Sequence, residues 1–182
     1  MHTYTYPTYA KLIHFGIAVF GITAFLTGEC AGDGNESLGY FFHAYLGLLL
    51  AGFMAARISG GLTSSEALSF RSWSPLTKEN RALALDDGRS LLRLNLPERG
   101  RHQGLAGLMQ AFGLLIFGWM AITGTGLFLL ASETESGTFQ IVEEIHEVGE
   151  SLIPVYLALH VGAVILHTLD GNPIWEKMFT RK

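Results

Sequence analysis

Imidazole is the main metal-binding chemistry available to this chain. Its 182 residues include seven histidines and a single cysteine, Cys30, so neither an intramolecular disulfide nor a multi-cysteine zinc or iron–sulfur centre can be assembled. His14, His43 and His160 fall inside long uncharged stretches, His146 lies just before the last of them in the same predicted span, His167 lies near the end of that span, His102 opens the third, and His2 stands in the N-terminal tail. A lone histidine in such a stretch is ordinarily a core residue bonded to a backbone carbonyl. Four in one small chain read differently, because ionisable groups at membrane depth are costly, rare and by default functional.

Hydropathy sets the elements that must position these rings. The length is that of one domain. Charged residues make up 15% of it, against about 25% in a soluble domain, and mean hydropathy is +0.32. Uncharged runs of 17 positions between Lys11 and Glu29, 20 between Glu36 and Arg57, 31 between Arg101 and Glu133, and 19 between Glu150 and Asp170 suit spanning helices, which need about 20 apolar residues. They predict four transmembrane helices near Pro7–Thr27, Ser37–Ile58, Gln103–Ala131 and Ile141–Leu169. The expected fold class is all-α, an integral membrane four-helix bundle forming a single domain over 1–182. The first run is N-terminal and short, but it has no basic segment before its apolar residues and carries a histidine, so it reads as a mature helix and not a signal peptide. A net charge of -4 and a pI near 5.9 lend no support to nucleic-acid binding, which calls for a basic face.

All twelve Lys and Arg residues fall on one side of this layout: Lys11, the set from Arg57 to Arg101, and Lys177, Arg181 and Lys182 in the tail. The connections Gly28–Glu36 and Ser132–Gln140 hold Glu29, Asp33, Glu36, Glu133 and Glu135 and no base. Basic loops stay cytoplasmic, so both termini are expected inside and the acidic connections outside. The stretch 59–101 reads as a cytoplasmic loop punctuated by Gly60-Gly61, Pro75 and Pro97. Arg89–Leu94 within it is either a short amphipathic segment on the headgroups or plain loop.

His146 and His160 are 14 positions apart, which on an α-helix is about 21 Å of depth and only about 40° of direction. One helix thus presents two imidazoles to the bundle interior at two depths. A haem takes an axial ligand on each face, so each ring needs a partner on a facing helix at matching depth. His43, near the outer end of the second helix, is level with His146. His14, deeper in the first helix, lies about 12 Å below His43 by residue count, which is nearer to His160 than to His167, about 31 Å below His146. His167 is left as an interfacial residue or a haem-propionate contact. A tetrahedral zinc site would need three or four ligands at one point, and these rings come as two separated pairs.

Arg57 is 14 positions after His43, on nearly the same face and about 21 Å deeper. There it meets the propionates of the inner haem or anchors the helix end by snorkelling. The outer haem has no Lys or Arg nearby, so its propionates fall to Tyr40, Asn35, backbone donors or water. Gly16, Gly21, Gly47, Gly52, Gly113, Gly118 and Gly162 sit inside spans, where small residues admit a neighbouring helix or a flat ring.

The sequence resembles the four-helix membrane cytochromes b that include prokaryotic cytochrome b561 and the b-type subunit of nickel–iron hydrogenases. The likeness rests on Lys11-Leu12-Ile13-His14, on Phe42-His43 followed by Arg57, and on His102-Gln103-Gly104-Leu105-Ala106-Gly107 with Thr123-Gly124. Ile145-His146-Glu147, Leu159-His160-Val161 and Leu166-His167 complete it. Phe15 matches the aromatic that follows the first haem histidine in the hydrogenase subunits, whereas Gln103-Gly104 replaces their Asn-Pro. The resemblance implies two haem b groups on His14, His43, His146 and His160, and a place in a respiratory chain of a bacterial inner membrane. It implies electron transfer between the quinone pool and a periplasmic or membrane-associated redox subunit at the outer face, as a free-standing cytochrome or as the membrane subunit of a quinone-linked oxidoreductase. His102, Trp73 and Arg99-Gly100-Arg101 lie where a cytoplasmic quinone pocket would form, the arginines serving equally as positive-inside anchors. Self-association stays open. A different use of the same histidines is a proton or metal transporter.

Overall fold

The computed structural model describes residues 5–31, 37–63, 67–97 and 103–179; His2, Asn35, His102 and the Arg99-Gly100-Arg101 run lie outside them. Eight helices and no strand occur among the described residues: α1 Thr8–Leu26, α2 Gly28–Ala31, α3 Leu38–Leu62, α4 Phe70–Trp73, α5 Lys78–Leu92, α6 Leu105–Leu129, α7 Gly137–Leu169 and α8 Glu176–Phe179. Four of them, α1, α3, α6 and α7, are long and apolar enough to cross a membrane. They are the four expected spans, with ends moved by a few residues.

The ends follow local chemistry. Ser37 caps α3, its hydroxyl accepting from Tyr40 N at 3.0 Å, and Ser136 caps α7 through Phe139 N at 3.2 Å. Helix α7 stops in a Schellman turn: Gly171 has φ 86, Asn172 N donates to His167 O at 2.9 Å and Gly171 N to Thr168 O at 3.1 Å. Threonine hydroxyls inside the spans donate to the carbonyl one turn back, as Thr125 does to Ala121 O at 2.6 Å and Thr168 to Val164 O at 2.7 Å, so these hydroxyls are satisfied within their own helices. Leu108, Leu115, Ile122 and Leu129, each seven apart on α6, are all exposed, a single stripe suited to lipid.

The connection 59–101 is not the loop that its glycines and prolines suggest. Helix α3 runs through Gly60-Gly61 to Leu62, and Lys78–Leu92 is helical. A Cβ on Gly60 or Gly61 would collide with Leu68 or Phe70, so this pair is a packing surface and not a breaker. Thr77 starts α5, its hydroxyl accepting from Asn80 N at 3.2 Å. Arg89–Leu94 is the end of α5, with Arg93 as its cap and Leu94 at φ 60.

Packing divides the chain into two compact units, Met1–Lys11, Ser59–Gly113 and Tyr156–Lys182 in one, Leu12–Ile58 and Leu114–Val155 in the other. The second unit has its core at Ala24, Leu50, Met54, Ile116, Phe117, Met120, Ala121 and Ile153. Close approach there relies on small residues: Gly16 receives the ring of Phe53, Gly21 that of Phe117, and Gly149 the sulfur of Met120. In the first unit Ala10, Leu68, Trp73 and Ala84 are buried together with Asn80 and Asp87. Phe70 meets Trp73 edge-on at 5.7 Å between centroids.

Candidate functional site

Two of the sequence-selected histidines come together within the second unit. His43 lies in the second turn of α3, six positions after its Ser37 cap. Its Nδ1 is 2.9 Å from Ala24 O, in the last turn of α1, a carbonyl that also accepts from Thr27 N at 3.1 Å and Thr27 Oγ1 at 3.0 Å. A carbonyl only accepts, so His43 Nδ1 carries the proton.

His146 sits in the third turn of α7. Its Nδ1 is 2.7 Å from Thr123 Oγ1 on α6, and that hydroxyl donates to Trp119 O at 2.9 Å. While its proton goes to Trp119 O, Thr123 can accept from His146, the arrangement in which that imidazole carries its proton on Nδ1. Trp119, one turn away from Thr123, donates its indole N–H to Ile145 O at 3.1 Å. Consecutive residues of α7 are thus held by one face of α6, Ile145 through its backbone and His146 through its ring. Gly124 makes the ring's position feasible, because a Cβ there would stand 3.2 Å from His146 Cε1.

The two rings meet edge-on, with centroids 6.2 Å apart and planes at 87°. With both Nδ1 atoms engaged, each imidazole keeps its Nε2 lone pair for a metal, the arrangement in which an outer hydrogen bond sets tautomer and orientation. Among the described residues, no group of three or more His, Cys, Asp or Glu side chains gathers to hold an ion.

Residues 5–181 match the family model of prokaryotic cytochrome b561. The chain belongs to the prokaryotic cytochrome b561 family. No curated protein and no solved structure matches it. Membership in the cytochrome b561 family, with four apolar helices, makes it a membrane protein that transfers electrons across the bilayer through b-type haem. His43 and His146, imidazoles from two helices with Nδ1 hydrogen-bonded in each and ring centroids 6.2 Å apart, are the donor types such a haem would take, so the residues present fit the group.

The other candidates of this cytochrome are distributed as follows. His14 is exposed on α1 in the second unit. His160 belongs to the first unit, where its ring stacks on Tyr156 at 5.4 Å and 10°, and Tyr156 in turn meets Phe112 edge-on at 6.0 Å. Arg57 is buried, at 7% exposure. The Tyr40 hydroxyl and His167 Nδ1 are enclosed without a hydrogen-bond partner in the structure. Of the span glycines, Gly16, Gly21 and Gly113 pack against aromatic rings and Gly118 against Met54, whereas Gly47, Gly52 and Gly162 face open space within 4 Å of a built Cβ. Trp73 is buried within the first unit.

Reasoning from the sequence passed over Ala24, Trp119 and Thr123 as partners of the histidines. A backbone carbonyl has no side-chain signal. Thr123 had one: a hydroxyl one turn from Trp119 in an otherwise apolar helix, beside a glycine.

Proposed function

We propose that this cytochrome carries electrons across a bacterial cytoplasmic membrane through two b haems, the outer one held by His43 and His146 and the inner one by His14 and His160. The observation that carries the outer site is the pair of anchored Nδ1 atoms with ring centroids 6.2 Å apart. The inner pairing rests on helix depth. Bound haem supplies a one-electron iron couple, and the protein's part is ligation, burial and control of potential. Arg57, buried on α3, is assigned to the inner propionates. The enclosed Tyr40 hydroxyl, one turn outward of His43, is assigned as a donor to the outer propionates.

Electrons exchange with the quinone pool at one surface and with a periplasmic or membrane-associated redox subunit at the other, in keeping with the family resemblance and the acidic outer connections. The positive-inside pattern supports cytoplasmic termini. The test is a pyridine haemochrome assay with redox titration of single variants. Two haems per chain are expected, with His43→Ala and His146→Ala removing one component and His14→Ala and His160→Ala the other. One haem in fully loaded protein would overturn the pairing, and pure protein without reducible haem absorbance would return the histidines to proton or metal transport.

A further inference from the structure

Helix α5 buries polar side chains while exposing leucines beside its charged ones. Its buried residues are Asn80, Ala84 and Asp87, one face by spacing, while Leu85 and Leu92 are 65% and 87% exposed. Leu76 before it and Leu94 after it are also exposed. An aqueous helix would place the leucines inward and the aspartate outward. Arg81, Leu85, Arg89 and Leu92 recur at intervals of four, four and three and share one outward stripe of alternating guanidinium and leucine.

Asp87 fixes the height of this stripe. Asp87 Oδ2 accepts from Leu105 N at 3.0 Å, the first peptide of the spanning helix α6, so α5 is tied to the point where a span begins. The Asn80 side chain donates to Ser74 O at 2.9 Å and holds the other end of the same face inward. The outward stripe therefore lies at the level of lipid headgroups. Guanidinium groups take phosphate in paired hydrogen bonds, their stems lie along apolar surface, and leucines between them reach the acyl boundary. Arg81 and Arg89 are eight positions apart, about 12 Å along the axis, which lets each serve a separate headgroup.

We propose that α5 is a membrane-surface helix whose outer face binds anionic phospholipid, Arg81 and Arg89 taking the phosphates and Leu85 and Leu92 entering the interface. This is independent of how the haems are held. The test uses the full chain in nanodiscs, with Leu92→Cys carrying a spin label in a Cys30→Ser background, since Cys30 is exposed and would otherwise react. In discs containing phosphatidylglycerol the label should be open to oxygen and shielded from a water-soluble nickel chelate. Replacing that lipid by phosphatidylcholine, or making Arg81→Gln with Arg89→Gln, should restore access to nickel. The lipid exchange needs no arginine variant and so stands even if the double variant folds poorly. Equal shielding in both lipids would overturn the headgroup assignment, and equal access to nickel in both would overturn the surface location. Shielding that appears only in discs holding two copies would replace the lipid by a second chain.

Discussion

Thr123→Val tests the hydrogen-bond chain that holds His146. Valine matches threonine in shape but cannot accept the His146 Nδ1 proton, now received at 2.7 Å by a hydroxyl that itself donates to Trp119 O. A hydrogen bond from Nδ1–H makes imidazole a stronger donor to iron and favours the oxidised state, so its loss should raise the midpoint of the outer haem. A neutral hydrogen bond contributes about 1 kcal/mol net, and at about 59 mV per tenfold for one electron that bounds the rise at about 40 mV. Thr123→Ser keeps the acceptor and should stay near the parent value. The assay is a spectroelectrochemical titration of both haems, with the low-field electron paramagnetic resonance signal of the oxidised protein followed in parallel. Thr123 and the Ala24 carbonyl together hold the ring planes at 87°, and release of one ring should move that signal. An unchanged or lowered outer midpoint in Thr123→Val, or an equal shift in Thr123→Ser, would refute the reasoning.

Three further outcomes are expected. Gly47 is one turn below His43 and a Cβ there meets nothing within 4 Å, so Gly47→Leu should leave the fold intact, gaining up to about 1 kcal/mol in helix propensity, yet displace the outer haem; full haem content by pyridine haemochrome would show that the ring does not use this face. Arg57→Leu removes a buried positive charge that favours the reduced iron, so the inner midpoint should fall while the outer stays nearly constant; a shift confined to the outer haem in the titration would place Arg57 elsewhere. Cys30, exposed on α2, should react with a membrane-impermeant maleimide from the outer face of intact spheroplasts, and labelling only in inverted vesicles would reverse the orientation.

The spans were legible because charge is forbidden where it is costly: the uncharged runs mark α1, α3, α6 and α7 without any structural knowledge. The segment 59–101 was not, because Gly60-Gly61 has the same composition whether it breaks a helix or admits Leu68 and Phe70. Gly and Pro report local freedom, and here tertiary contact decided. The histidines were legible as a set by type and depth. Their hydrogen-bond partners were not, since a carbonyl such as Ala24 O is common to all residues and meets a histidine only through tertiary packing.

Pro154 is the residue of α7 least suited to a helix interior. It lies inside α7 between His146 and His160, lacks the N–H that would meet the Glu150 carbonyl, and crowds that carbonyl with its ring. An azimuth counted from His146 to His160 therefore passes through a residue that disturbs it, whereas axial depth depends mainly on residue number. The proline also marks a change of character along the helix. Before it come Glu143, Glu144, Glu147 and Glu150, the first three exposed; after it no charged side chain occurs until Asp170. His146 belongs to the acidic part, where apolar burial does little to fix which face turns inward. The Trp119 bond to Ile145 O and the Thr123 bond to His146 Nδ1 supply that orientation, at the two residues where the outer site requires it.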